Sequence, residues 1–372
     1  MLDILTKDEL KVLDPKKPHT TKKIEYVTAY VRQWLFVMTG DALNKTHINF
    51  VDCMCNAGIY ADGDLATATE VFKLFNEFAK NHPTKQFRLF LNDYNSIRID
   101  IIARICDTIK NDSLSNISFF TNVGDVNEYI SNLSKQENLT GFSTSTILYV
   151  DPYDFGTVNI PTLKKFTDTN YCELIYNVFT SDFVRNKFDS RISKCLDDEN
   201  AKFTTKEQLV EYMVTLLKRD SKFKYHLAYE FKTQTNAELY QIMFFTPNSA
   251  GLDKIKEALW ETFNGQFSHR NKAQDNSGQI QMFTADDDRQ MLLNMHSAEA
   301  KNLLLQKYKG QKDIHYDVWV DYILSNSMLK SSYILNNLLK PLIASGQIIK
   351  LNKGVIKSNF KKDFYDFNGG ES

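Results

Sequence analysis

Excess charge of either sign is missing from this 372-residue chain: 45 Lys and Arg nearly cancel 46 Asp and Glu, for a formal net charge of -1. That balance demands no polyanion partner, though it leaves room for a local basic patch. Cysteine is scarce. The five thiols, Cys53, Cys55, Cys106, Cys172 and Cys195, are odd in number and sit mostly in expected strands or helices. They fit a reducing cytosol better than a disulfide scaffold, and a cytoplasmic location is expected. No metal site is expected either. Cys53 and Cys55 form a C-x-C pair, but two thiolates do not make a tetrahedral zinc site, and His47 and His82 have no ligand spacing. No apolar run approaches the roughly 18 residues of a membrane span. The Met-Leu-Asp start has neither the basic nor the apolar region of a signal peptide.

What is present suits a large core: 42% hydrophobic and 13% aromatic residues, enough for a large α/β domain and a smaller one. The chain is organised around Asn49 to Tyr60 (NFVDCMCNAGIY). A strand from Thr46 to Val51 ends in Asp52, turns through Asn56, Ala57 and Gly58, and leads into a helical pattern from about Asp64 to Lys80. Strand, small-residue turn and helix is how a parallel α/β sheet builds a nucleotide pocket at its carboxyl edge. Only one glycine stands where a dinucleotide fingerprint carries three.

Before that strand, Ile24, Val27, Val31 and Leu35 mark one face of a helix from Thr20 to Met38, with Thr20 or Thr21 as cap and His19 and Lys23 expected at the surface. After it, a second strand (Phe87 to Leu91) ends in Asn92 and Asp93, where an acceptor takes ribose hydroxyls in pockets of this type. A third (Ile117 to Thr121) precedes Gly124 and Asp125; Asp125 is either a helix cap or an acceptor for an adenine amino group. The fourth, Thr146 to Val150, is apolar on both faces as a central parallel strand should be, and exits through Asp151, Pro152 and Tyr153. A fifth (Leu174 to Phe179) is followed by Phe183, Arg185 and Asn186. The runs Tyr225 to Lys232 and Leu239 to Thr246 are joined by too short a link for a crossover helix, so they are antiparallel neighbours. A parallel sheet finished by such a hairpin is the architecture of S-adenosylmethionine (SAM)-dependent methyltransferases.

Helices are expected from Leu252 to Phe263 and from about Asp286 to Lys307, with Asn264 to Gly278 between them as a loop or lid. The last segment reads helix (Tyr316 to Leu324), helix (Ser331 to Ala344), strand (Gln347 to Leu351), turn, strand (Val355 to Ser358). That is the order of a winged helix-turn-helix. Lys330, Lys340, Lys350, Lys353 and Lys357 could meet phosphates of DNA or RNA, or the module could serve only for docking or dimerisation. The expected layout is a lead-in with the first helix (1–44), a methyltransferase-like α/β domain (45–250), a helical extension (251–310) and a winged-helix-like domain (311–372).

This order of motifs resembles the bacterial three-Cys-motif partner family, over nearly everything from His19 onward. The matching residues are His19, Thr20 and Lys23; the turn from Asp52 to Gly58; Asp151, Pro152 and Tyr153; Glu173 and Asn177; and Arg185 and Asn186. The family turn carries a glycine where this chain has Asn56 and a proline where it has Ala57, and an acid where strand two here has Asn92. The resemblance implies a Rossmann-like class I SAM-dependent methyltransferase fold with an antiparallel last strand, SAM as cofactor, and a three-Cys-motif protein as partner. The expected cofactor residues are Asp52, Asn56, Gly58, Asn92, Asp93 and Asp125. The expected catalytic set is Asp151, Pro152 and Tyr153, a pattern that in amino-directed methyltransferases holds a flipped base by its exocyclic amine. Glu173, Asn177, Arg185 and Asn186 would support substrate or loop. A noncatalytic recognition protein that keeps the fold is the alternative.

Overall fold

The computed structural model describes residues 1–40, 43–136, 139, 141–169, 171–181, 190–198, 203–233, 235, 237–270, 285–353 and 360–368. Runs of apolar residues buried on both faces set the centre of the sheet. Strands β1 (His47–Asp52), β4 (Thr144–Val150) and β5 (Cys172–Val178) are buried almost throughout, as expected when helices cover both faces of a parallel sheet. With β2 (Gln86–Asp93), β3 (Ile117–Val123), β6 (Tyr225–Lys232), β7 (Glu238–Thr246) and the short β8 (Ser268–Arg270), they form an eight-stranded sheet of order β3-β2-β1-β4-β5-β7-β6-β8. Strands β1 to β5 pair in parallel, and β7 runs antiparallel between β5 and β6. The antiparallel hairpin expected from the short link is therefore present, and β7 rather than β6 meets β5. Strand β8 pairs in parallel with β6, a short extension within the segment expected to be loop.

On one face, α1 (Pro18–Met38) packs on α2 (Thr67–Asn81), and α2 packs on α3 (Ser96–Ile109). On the other, α4 (Val126–Leu133), α5 (Ile160–Thr169), α6 (Ser190–Leu196) and α7 (Lys206–Lys218) share an apolar cluster with β4 and β5. Helix α1 starts earlier than its apolar pattern suggests. Lys17 is its cap and Pro18 its first residue, a position proline favours because that N–H needs no helical partner. Thr20 is buried in the first turn instead of capping it.

Two compact units result: Met1–Asn248 with Ser268–Ala273, and Ser249–Phe267 with Gln274–Ser372. The second contains α8 (Ser249–Phe263), α9 (Ala285–Tyr308) and α10 (Tyr316–Asn326), with a three-stranded sheet of order β10-β11-β9. Those strands are β9 (Ile314–His315), β10 (Ile348–Lys350) and β11 (Phe364–Phe367), all pairs antiparallel. The helix expected from Ser331 to Ala344 carries a π-helical stretch at Ile334–Leu339. The expected strand Val355 to Ser358 lies outside the described residues, and β10 pairs with β11.

Candidate active site

Because β1 lies between β2 and β4, three strand exits meet at one carboxyl edge. A cleft of about 310 Å³ opens there, within the size range of small-molecule sites. Its floor comes from Asp52 and Asn56 after β1, Tyr149 on β4, and Asp151, Pro152 and Tyr153 beyond it. Its other side is the start of α1, with Phe179 and Tyr240 from the strands beyond.

Asp151 is the most connected polar group in the cleft. Its Oδ2 faces Lys23 Nζ at 2.5 Å and accepts from the Tyr149 hydroxyl at 3.1 Å; its Oδ1 accepts from Asn177 Nδ2 at 2.7 Å. Tyr149 and Asp151 are two apart, so they project to one side of the strand. Lys23, expected at the surface, is buried at 8% exposure. The signal for it was present: Lys23, Val27 and Tyr30 follow the i, i+4, i+7 spacing of a buried helix face.

Asp52 is buried on the neighbouring strand, its Oδ1 accepting from the Met54 N–H at 3.1 Å. Burial raises its pKa to about 8, the Met54 bond opposes this, and the Asp151 and Asp93 charges add to the rise. It is therefore largely protonated at neutral pH. Burial also pushes the Cys53 and Cys55 thiols well above their usual range. Among the described residues no His, Cys, Asp or Glu cluster is arranged to hold a metal.

The glycine turn is built differently from the sequence expectation. Asn56 occupies the left-handed region at φ 55°, a conformation asparagine tolerates better than most residues. Gly58 also has positive φ, 71°, and a Cβ there would lie 2.6 Å from Ile102 Cγ1 and 2.8 Å from Thr69 Cγ2. Its small size therefore serves the approach of α2 and α3 to the turn, away from the cleft. Asp93 uses one carboxylate oxygen for the Asn56 N–H (3.1 Å) and the other for the Asn95 N–H (2.9 Å). Asn92 is buried behind the turn, donating to the Cys53 and Gly124 carbonyls and accepting from Asn122. Asp125 caps α4, accepting from the Asn127 and Glu128 N–H groups; it is exposed and outside the cleft.

Glu173 lies deep in the sheet and accepts from the Tyr30 and Thr246 hydroxyls. Burial raises its pKa to about 7 against the pull of those two bonds. It ties α1 to β5 and β7. Arg185 and Asn186 lie outside the described residues.

Residues before α1, which no local pattern singled out, also enter the site. Asp14 accepts from Asn56 Nδ2 at 2.5 Å and from Arg98 Nη2 at 3.2 and 3.3 Å. Arg98 also donates to the Tyr153 hydroxyl, and its guanidinium lies 5.7 Å from the Tyr153 ring centroid. A polar bridge thus runs from the exit of β4 to the start of α3. Tyr60 lines the same cleft, its hydroxyl pKa raised by burial and then by Asp151 and Asp52.

In the second unit, the lysines expected to meet phosphates have local partners: Lys330 faces Glu257 at 3.7 Å, Lys350 faces Asp363 at 3.4 Å, and Lys353 faces Asp313 at 2.9 Å. Lys340 donates to Asn336, and Lys357 lies outside the described residues. Among the described residues no helix is long and apolar enough to cross a membrane.

No protein-family model and no curated protein matches the sequence. Solved structures of SAM-dependent methyltransferases are among those similar to it. The methyltransferase domain of bacterial CtHen1 is 11% identical over 59% of this chain and 99% of its own, with a TM-score of 0.32. The 16S rRNA (adenine(1408)-N(1))-methyltransferase from Catenulisporales acidiphilia is 10% identical over 58% and 92%, with a TM-score of 0.31. Geranyl diphosphate C-methyltransferase from Streptomyces coelicolor A3(2) is 8% identical over 58% and 75%, also at 0.31. Likeness at this level carries no functional argument. The methyltransferase-like description of this chain rests on its own sheet: five parallel strands in the order 3-2-1-4-5, extended by an antiparallel β7 and then β6.

Proposed function

We propose that this cleft transfers a methyl group from SAM to the exocyclic amino nitrogen of a nucleic-acid base. The observation that carries the reading is the placement of Asp151-Pro152-Tyr153 beside Asp52 on adjoining parallel strands, with Asn56 of the turn lining the same cleft. When bound, the cofactor supplies an electrophilic methyl on a sulfonium. Asp52 and Asn56 would hold its amino-acid end. The ribose end fits less directly, since Asp93, whose two oxygens each accept a backbone N–H, is not among the residues that line the cleft.

Asp151 supports the role of amine acceptor. A carboxylate offers about four acceptor sites, and Lys23, Tyr149 and Asn177 take three. The remaining site, on Oδ1, can take one N–H of an incoming amine and orient its lone pair, which is where much of the rate gain of a positioned reaction arises. Pro152 fixes the backbone between that acceptor and the half-exposed Tyr153 ring, on which a base can stack.

The test is transfer of labelled methyl from SAM to DNA, RNA, nucleotides and candidate partner protein, comparing wild type with Asp151→Ala. Label in a base that disappears in the variant supports the assignment; label confined to protein overturns it. One observation favours a second reading, a noncatalytic recognition protein working with a three-Cys-motif partner. Arg98 already donates to both Asp14 and Tyr153 beside the turn, as in a site that holds its shape without ligand. We further propose that the last segment is a winged helix used for protein docking or assembly more than for DNA or RNA, because Lys330, Lys350 and Lys353 sit against local acids and Lys340 against an amide. Truncation at residue 310 should then change assembly and leave nucleic-acid binding as it was.

A further inference from the structure

The 21-residue helix α1 begins at the cleft with no side-chain cap on its backbone donors. Lys17, His19, Thr20 and Lys23 from this end all line the cleft. Opposite them is a group with unmet hydrogen-bonding capacity. Tyr240 is 2% exposed, it lines the cleft, and its hydroxyl has no hydrogen-bond partner among the described residues. Its ring meets the His19 ring edge-on at 5.6 Å, and Lys23 Nζ lies 5.8 Å from its centroid. A buried hydroxyl left unpaired is costly, and this one feels the charges of Asp151 and Tyr60 on the cleft wall, so a ligand atom that completes it is the simplest explanation.

We propose that this corner is an anion subsite, and that the methyl acceptor is a planar nucleotide ring carrying a phosphate held by the α1 amino end, Lys17 and the Tyr240 hydroxyl. The inference rests on the methyl-transfer reading for the word acceptor, but the subsite itself does not. Pro18 has no N–H and the Thr20 N–H already donates to the Lys17 carbonyl, so the start of α1 favours an anion through the positive end of its dipole and the N–H groups that remain. Lys23 is matched by Asp151, so the uncompensated charge of the corner is that of exposed Lys17 and the helix end. That is enough for one phosphate and too little for a polyanion track. Tyr60, Phe179 and Tyr240 supply the wall for a ring, and Asp151 supplies an acceptor for its amine. Asp14 and Asp52, the other acids on the lining, face the same cleft; Asp52 is largely protonated and adds little repulsion. His19 is held near pKa 4 by burial and then by Lys23 and Lys17, and an anion between them would raise it.

The shared chemistry is a nucleoside phosphate, either free or as one unit of a single strand. Calorimetry on the full chain with nucleoside monophosphates, the matching nucleosides and short single-stranded oligonucleotides, each with and without S-adenosylhomocysteine, tests the proposal. Monophosphates should bind roughly tenfold tighter than nucleosides. Lys17→Ala and Tyr240→Phe should each remove a large part of that difference, Lys17→Ala with nucleoside affinity unchanged, and phosphate should raise the His19 pKa seen by NMR. Oligonucleotides that bind tighter than monophosphates would place the unit in a strand; the reverse would make it a free nucleotide. Equal affinity for nucleoside and monophosphate would overturn the proposal. So would Lys17→Ala weakening S-adenosylhomocysteine alone, since the corner would then hold the carboxylate of the cofactor. If S-adenosylhomocysteine does not bind yet the phosphate dependence persists, the methyl-transfer reading falls and the subsite stands.

Discussion

Two buried lysines show how the same side chain serves opposite ends in this molecule. Lys23 on α1 meets a carboxylate at the wall of an open cleft, and Asp151 in turn bonds Tyr149 and Asn177. Lys256 on α8 is wholly buried in the second unit and donates to the Leu324, Ser327 and Leu329 carbonyls, closing the end of α10. Three ammonium protons meet three carbonyls there, so nothing is left over for a ligand. Burial still drives the pKa of Lys256 down to about 7, with nearby Asp253 opposing. A charge matched by backbone fixes a helix end; a charge matched by a carboxylate on a cleft wall tunes what that carboxylate can bind.

The largest effect should come from removing the carboxylate of the first pair. Asp151→Ala should lower methyl transfer by about three orders of magnitude by losing amine orientation. It should also cost about 3 kcal/mol of stability, because Lys23 is left buried without its partner. Urea unfolding measured beside the transfer assay separates the two losses. Unchanged transfer in a folded variant would break the comparison on the Lys23 side. Next in size, Lys256→Met should cost about 3 kcal/mol by leaving buried carbonyls unpaired, with no change in ligand affinity per folded molecule.

Stability against pH sharpens the contrast, since the Glu173 term should fall with pH up to about 7 and the Lys256 term should rise with pH above it. Glu173 has its pKa raised from 4.5 to about 7, so the native state holds a proton that the unfolded chain releases earlier. Its contribution is full below about pH 4.5 and is lost as pH rises to 7. Asp52 acts in the same sense between 3.8 and about 8. Lys256, lowered from 10.5 to about 7, binds fewer protons folded than unfolded only between about pH 7 and 10.5, so its term improves with rising pH in that higher window. Denaturant midpoints from pH 5 to 7 should fall in wild type. They should fall less in Glu173→Gln, by up to about 3 kcal/mol over the full window.

Periodicity and strand ends made the sheet legible in advance. Apolar runs marked β1, β4 and β5, and the short link between the runs at Tyr225 and Leu239 required an antiparallel pair. Asp52, Asn56, Asp151, Pro152 and Tyr153 could be placed at one edge because each follows a parallel strand. What periodicity does not encode is which way a polar side chain is used once there. Gly58 reads as a ligand contact but accommodates Ile102 and Thr69. Asp93 reads as a ribose acceptor but ties two turns together. Tyr240 sits on a strand recognised as such, and only the packing of α1 makes it part of the cleft wall. Asp14 is the hardest case, since its partners Asn56 and Arg98 are 42 and 84 residues away.

Asp14 also gives the smallest predicted effect and the finest test of how open the cleft is. Its carboxylate draws Arg98 and the Asn56 side chain together next to the turn, and Arg98 reaches on to Tyr153. A ligand that needs Asn56 or the Tyr153 face must compete with those bonds. Asp14 is part-exposed, so each contact is worth no more than about 1 kcal/mol. Asp14→Ala should therefore tighten S-adenosylhomocysteine by roughly two- to fivefold, with a smaller gain in high salt where the ion pair is already screened. Calorimetry at low and high salt reads both numbers. Weaker binding in the variant would mean that Asp14 holds the ligand, and the bridge from Asn56 to Tyr153 would then be a part of the site that the cofactor uses.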